Sequence, residues 1–179
     1  MMTNIAIALL GLIAVLLGLA MGKPDVFRVE RRKRIQAPAE AIYAYLNDLQ
    51  AFRRWSPWEE KDPNMTASHS GTESGVGAVF AWDGDKNVGK GRMEIIAAEP
   101  NERVEIKLDF LKPFEAHNIV EFLLEEADCQ TTVAWVMTGS NTFFSKIMSV
   151  FVSMDKMVGP DFEAGLNKLQ QLVEAETAA

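Results

Sequence analysis

Between residues 103 and 111 apolar and charged side chains alternate without a break. Val104, Ile106, Leu108 and Phe110 point one way, and Glu105, Lys107 and Asp109 the other. A period of two marks a strand with one buried and one wet face. The same pattern recurs around it. Residues 114–126 place Val120, Phe122 and Leu124 on one face, and residues 131–138 do so with Val133, Trp135 and Met137. Residues 89–98 alternate, residues 77–83 form a shorter strand, and residues 65–70 a weak one. Turn formers separate these runs: Gly84-Asp85, Pro100-Asn101 and Asp128-Cys129. Connections this short favour an antiparallel sheet.

Helical patterns flank the strands. A first strand over residues 26–36 has Phe27, Val29 and Ile35 punctuated by charges. Pro38 then opens an amphipathic helix to about residue 52, with Ile42, Tyr45, Leu46 and Leu49 spaced by three and four. Residues 55–64, containing Pro57 and Pro63, read as irregular. A closing helix over residues 160–174 begins at Pro160 with Asp161 in its first turn. It buries Phe162, Leu166, Leu169 and Val173, and Gly165 beside that stripe allows a close approach to a sheet. The predicted fold is α+β: a curved antiparallel sheet of six to seven strands wrapped on a long C-terminal helix.

Residues 1–22 carry no charged side chain, and residues 5–21 are almost wholly aliphatic. This length reaches the lower end of what spans a bilayer, and no polar stripe interrupts it. We read residues 1–23 as a transmembrane anchor and residues 24–179 as the folded domain. A signal peptide cut after Ala20 is the rival reading, but the basic n-region is missing. Lys23, Arg28, Arg31, Arg32, Lys33 and Arg34 all follow the span, which weakly places the domain on the cytoplasmic side.

Composition removes other classes. The net charge of −7 argues against general binding to nucleic-acid phosphates. One cysteine, Cys129, permits no intrachain disulfide and no cysteine cluster. Two histidines are too few for a His-rich metal site. No phosphate-loop spacing occurs among the glycines. No cofactor or metal is expected.

Several segments, in order, resemble the SRPBCC superfamily of START and birch-pollen-allergen-like proteins, and in particular its bacterial polyketide cyclase/dehydrase-like members. They are Ile35-Gln36-Ala37-Pro38-Ala39-Glu40-Ala41-Ile42-Tyr43, Trp55-Ser56-Pro57-Trp58-Glu59 and Asp62-Pro63-Asn64-Met65. Further along come Gly75-Val76-Gly77-Ala78, Gly89-Lys90-Gly91-Arg92-Met93, Pro113-Phe114, Thr132-Val133-Ala134-Trp135 and Asp161-Phe162-Glu163-Ala164-Gly165-Leu166. The resemblance covers about residues 26–175. It implies a helix-grip fold with a hydrophobic cavity, and says little about chemistry.

Under that resemblance Trp55, Trp58, Trp82 and Trp135 are expected to line a ligand cavity. Phe80, Met93 and Phe110 join them, as do Phe122, Met137 and Phe162. The same residues would equally make an ordinary filled core. No catalytic residue is assigned. His117, the better histidine, shares strand parity with Glu121 and so falls on the outer face; His69 sits in the weak polar strand. Acidic residues occupy polar strand faces, where a cavity acid or base has no use. Residues 142–158 are apolar nearly all round. They form either a core helix or a membrane-facing gate that uses Phe144, Ile147, Met148, Phe151 and Met154. The expected function is binding or carriage of a lipid or other hydrophobic small molecule at a membrane. A cyclase/dehydrase-like enzyme and a membrane-tethered interaction module are the alternatives, and the oligomeric state is not indicated.

Overall fold

The computed structural model describes residues 2–177; the side chains of residues 2–9, 12, 13 and 144 lie outside that description. Helix α1 (Met2–Met21) leads into strand β1 (Val26–Ile35), then short helices α2 (Ala39–Leu46), α3 (Leu49–Phe52) and α4 (Trp58–Lys61). Six strands follow: β2 (Thr66–Gly71), β3 (Ala78–Asp83), β4 (Lys90–Glu99), β5 (Arg103–Lys112), β6 (Ala116–Ala127) and β7 (Gln130–Ser140). Helices α5 (Phe143–Phe151) and α6 (Met154–Thr177) close the chain.

All neighbouring strands are antiparallel, in the order β1-β7-β6-β5-β4-β3-β2. Strand β1 returns to pair with β7 because the later strands follow one another as a meander. The tight β6–β7 turn places Asp128 and Cys129 both at positive φ, the geometry that suits right-handed strand twist. Register shifts at Lys90/Gly91 and Ile95/Ala97 bulge β4 and bend the sheet toward the helix.

Helix α6 fills the concave face. Phe162, Leu166, Leu169 and Val173 are buried there, as their spacing predicts. Phe162 stacks on Trp135 at 4.2 Å between ring centroids and 7° between planes. A Cβ on Gly165 would stand 2.8 Å from the Trp135 ring and 3.3 Å from Pro57. Glycine is therefore what lets the helix lie this close. Charged residues on the inward parity of β1 hold its flank. Arg31 Nε donates to Glu163 (2.6 Å), its Nη1 donates to Asp155 (2.7 Å), and Lys33 donates to Asn167 (2.8 Å). The guanidinium of Arg31 fills the space where a Cβ on Gly159 would lie.

The structure redraws some boundaries. The helix expected over residues 38–52 breaks at Asn47 and Asp48, where Asp48 caps α3 by accepting from the Gln50 N–H. The irregular segment contains α4. The single helix expected over residues 142–158 is two: α5 ends at Phe151, and the extended backbone of Val152 turns the chain into α6. The closing helix thus starts at Met154, six residues before Pro160, and takes that proline inside it.

The largest correction concerns the N-terminus. Among the described residues no helix is long and apolar enough to cross a membrane. Helix α1 packs against α5 instead, and its Ala20 is fully buried. Its apolar surface has a protein partner, so it does not need lipid to cover that side. The single-pass anchor expected there is not supported, and neither is the cytoplasmic placement inferred from the basic residues after it. Four of those six residues are engaged within the domain: Arg28 and Arg32 both donate to Glu30, and Arg31 and Lys33 bind α6.

Close packing at Gly165 has a measurable consequence. Gly165→Leu should destabilise the fold by about 1–3 kcal/mol or more through overpacking against Trp135. Ala164→Leu, on the exposed side of the same turn, should stay within about 0.5 kcal/mol of the native protein in urea denaturation. Equal effects at the two positions would contradict this packing.

Candidate binding site

The concave face of the sheet is built from one parity of each strand. It presents Ala78, Phe80 and Trp82 on β3, Gly91, Met93 and Ile95 on β4, and Val104, Ile106, Leu108 and Phe110 on β5. Strands β6 and β7 add Asn118, Val120, Phe122 and Leu124, then Thr131, Val133, Trp135, Met137 and Gly139. Among the described residues the charged groups on this parity between β3 and β7 stand at strand ends: Lys112 on β5 and Glu126 on β6, both exposed, with Glu126 accepting from the Ala39 N–H.

The two ends of this face differ. At one end Ile35, Ile95, Val104, Val133 and Leu169 are fully buried, and α2 covers them with Ile42 and Leu46. At the other end the hydrophobic residues are only partly buried: Phe27 on β1, Trp82 on β3, Phe110 on β5, and Met154 and Val158 at the start of α6. Two glycines shape the open end. Trp82 lies over Gly91 across the β3–β4 pair, where a Cβ would stand 2.4 Å from its ring. Asn118 and Phe27 lie over Gly139, from the strands on either side.

The ten residues expected at a cavity fall into two groups. Trp55, Trp58, Phe122, Trp135 and Phe162 meet in one ring cluster in the middle of the grip. Trp55 stands edge-on to Trp135 (5.3 Å) and Phe122 (5.8 Å), and Trp58 stands edge-on to Trp135 (5.9 Å) and Phe162 (6.5 Å). Phe52 completes the cluster against Trp55 at 4.7 Å. Phe80, Trp82 and Phe110 form a second row on β3 and β5: Phe80 stacks on Trp82, and Trp82 stands edge-on to Phe110. Met93 and Met137 are buried on the adjoining strands.

Of the residues expected to form a gate, Met148 and Phe151 are exposed and Ile147 is half-buried on α5; Met154 packs against the core at the head of α6. The side chain of Phe144 lies outside the described residues. Lys146 on this helix pairs with Asp25 at 2.5 Å.

On the outer face His117 Nδ1 lies 2.7 Å from Asp109 Oδ1, and Lys107 pairs with the other carboxylate oxygen at 3.2 Å. Burial alone would push the Asp109 carboxyl up. Its hydrogen bonds from His117 and Lys107 outweigh that and hold it below the ordinary carboxylate range. This pair faces away from α6 and cannot reach anything held beneath that helix. Two concave spaces also lie outside the grip. One, about 250 Å³, runs between β1 and α6 beside Arg31 and Glu163. The other, about 680 Å³, lies beside the β4–β5 turn and Ala39. Neither includes any of the ten residues. Among the described residues no group of His, Cys, Asp or Glu is placed to hold a metal ion.

Sequence reading overlooked Asn118, the polar residue on the inner wall at the open end. The signal was there, since Asn118 shares parity with Val120 and Phe122. Nothing in the local pattern marks Gly91 and Gly139 as seats for side chains of neighbouring strands.

Residues 26–174 match the model of the polyketide cyclase / dehydrase and lipid transport family. The chain belongs to this family. No curated protein matches it. Solved structures share the fold. Protein CV1439 from Chromobacterium violaceum is 18% identical with a TM-score of 0.59, over 85% of this chain and 99% of that one. The di-domain ARO/CYC protein StfQ from the steffimycin biosynthetic pathway is 11% identical with a TM-score of 0.61, over 86% of this chain and 52% of that one. Ara h 8.0201 is 11% identical with a TM-score of 0.59, over 84% and 99%. The family and these neighbours fix a helix-grip fold of the SRPBCC type.

Two outcomes are expected from this geometry. Trp135→Ala removes a ring packed on every side and should cost about 3–5 kcal/mol in denaturant unfolding. A clearly smaller loss would mean that the ring faces open space. Asp109 titrates below its unfolded value, so it adds stability above about pH 4 and loses it as pH falls through the folded value. The stability gap between the native protein and Asp109→Asn should therefore be larger at pH 6 than at pH 2.5. A gap independent of pH would contradict the assigned hydrogen bonds.

Proposed function

We propose that this chain binds an apolar small molecule or lipid between α6 and the concave face of the sheet, as a carrier and not a catalyst. The observation that supports this most is the wall itself. From β3 to β7 its buried part offers rings, aliphatic chains, the Thr131 hydroxyl and one amide, Asn118, while Lys112 and Glu126 on the same parity stand exposed at strand ends. Such a surface holds a ligand by burial of apolar area, about 25 cal/mol per Å², and has nothing with which to move a proton. Entry is at the half-buried end, past Trp82, Phe110 and Met154. Helix α5 is joined to α6 only through residues 152 and 153.

A second reading, a cyclase/dehydrase-like enzyme, draws on the fold shared with StfQ. A candidate group on the inner parity is His69 on edge strand β2, opposite Phe80 with ring centroids 5.0 Å apart. That histidine is exposed and has no carboxylate to orient it, which weighs against a general base there.

Native mass spectrometry of the purified full chain should detect a co-purified apolar ligand, and a fluorescent fatty-acid probe should bind and be displaced by it. Trp82→Asp and Phe110→Asp at the open end should each weaken probe binding about tenfold or more with the circular dichroism spectrum unchanged. Absence of both co-purified ligand and probe binding would overturn the carrier reading. Turnover that is lost in His69→Ala would establish the second one.

A further inference from the structure

Trp55 and Trp135 are among the most deeply buried side chains of the domain. Neither indole Nε1–H has a hydrogen-bond partner. Buried tryptophans ordinarily find one, and a buried donor left unpaired costs about 1–3 kcal/mol. The fold does satisfy an indole elsewhere: Trp82 Nε1 donates to the Val88 carbonyl at 3.2 Å.

The two unpaired donors belong to the same ring cluster. Their ring centroids are 5.3 Å apart, and the planes cross at 76°. The aromatic rings packed on them are Phe52, Phe122, Phe162 and Trp58, which offer ring faces and no oxygen. A donor beside a ring face gains only a weak contact. Two donors thus sit at the centre of the grip with no hydrogen-bond partner for either among the described residues.

We propose that the ligand is an apolar molecule carrying a carbonyl oxygen, and that Trp55 and Trp135 donate their indole N–H groups to it. This inference rests on the carrier reading and specifies the chemistry its ligand must have. The unpaired donors raise the free energy of the closed ring packing. Opening it for a ligand that supplies an acceptor recovers that penalty, and opening it for a plain hydrocarbon does not. Selectivity then lies in the oxygen. A molecule of the same shape without it binds by area alone, and one that needs an acceptor from the protein finds none among these rings.

The test uses the full chain and a matched pair of probes, 9-fluorenone and fluorene, which share a ring frame and differ by the carbonyl. With 15N-labelled tryptophan, the indole signals of Trp55 and Trp135, assigned through Trp55→Phe and Trp135→Phe, should move downfield with fluorenone and not with fluorene. Fluorenone should bind about tenfold more tightly, equivalent to about 1.4 kcal/mol. Each Trp→Phe variant that remains folded should lose most of that preference and keep fluorene binding. If both probes bind the native chain equally and neither indole signal moves downfield, the donors are not used and the inference falls while the carrier reading stands. If neither probe binds the native chain, the inference falls, and the carrier reading is decided by the co-purified ligand and the fatty-acid probe. The native-chain spectra decide the matter even if the variants do not fold.

Discussion

The contact between Trp135 and Phe162 is the joint on which this fold is hung. One ring comes from the middle of β7, the other from the first half of α6, and their planes are nearly parallel at van der Waals distance. Gly165, one turn further along the helix, removes the only atom that would keep the backbone away. Strand β7 lies between edge strand β1 and β6, so fixing the helix against it sets the helix over the β1 side of the sheet. Ion pairs from Arg31 to Asp155 and Glu163 then fix the rotation of α6 from one side. Those from Lys61 to Asp161 and Lys168 to Glu60 do so from α4. Exposed pairs of this kind contribute little energy each. Their effect here is on the register of the helix, while the buried rings supply the stability.

From this joint the two ends of the grip acquire different characters. Toward Ile35 and Val173 the helix and α2 close the concave face completely. Toward Phe27, Trp82 and Phe110 only the first turns of α6, with Met154 and Val158, lie against the face, and burial falls off. The same cluster of rings that fills the middle also holds two donors with no acceptor. A core selected for stability alone would place Phe, Leu or Met at these positions, because each fills the volume without burying an N–H. Tryptophan in this surrounding makes physical sense if something with an oxygen is present part of the time. Polar chemistry is meanwhile kept on the convex face, where Asp109, His117 and Lys107 pair with one another, as do Arg103, Glu105 and Glu121.

Much of this was legible in the residues. Alternation in β5, β6 and β7 gave both their existence and their inner faces, because a strand that buries one side has no other way to arrange its side chains. The stripe from Phe162 to Val173 gave the closing helix. The ten candidate lining residues were chosen by parity and aromatic character alone. What parity could not give was their division into a tightly packed middle group and a half-buried end group. That division depends on which element covers each stretch of the sheet. The unpaired state of two indole N–H groups was equally out of reach, since it is a property of everything around them.

Periodicity and turn chemistry therefore determined the order of elements, the antiparallel sheet, the helix laid upon it and the family resemblance. These are local properties, set by neighbours within about ten residues. Tertiary structure alone decided the rest. It broke the apolar segment after β7 into α5 and α6, because α6 must begin at Met154 to reach Arg31 on β1. It gave α1 a partner in α5, where hydrophobicity by itself had pointed to lipid, because an apolar helix does not record in its sequence whether another helix or a bilayer will cover it. It also placed the residues of three separate segments around one pair of indoles, a meeting that requires the whole sheet to have curved first.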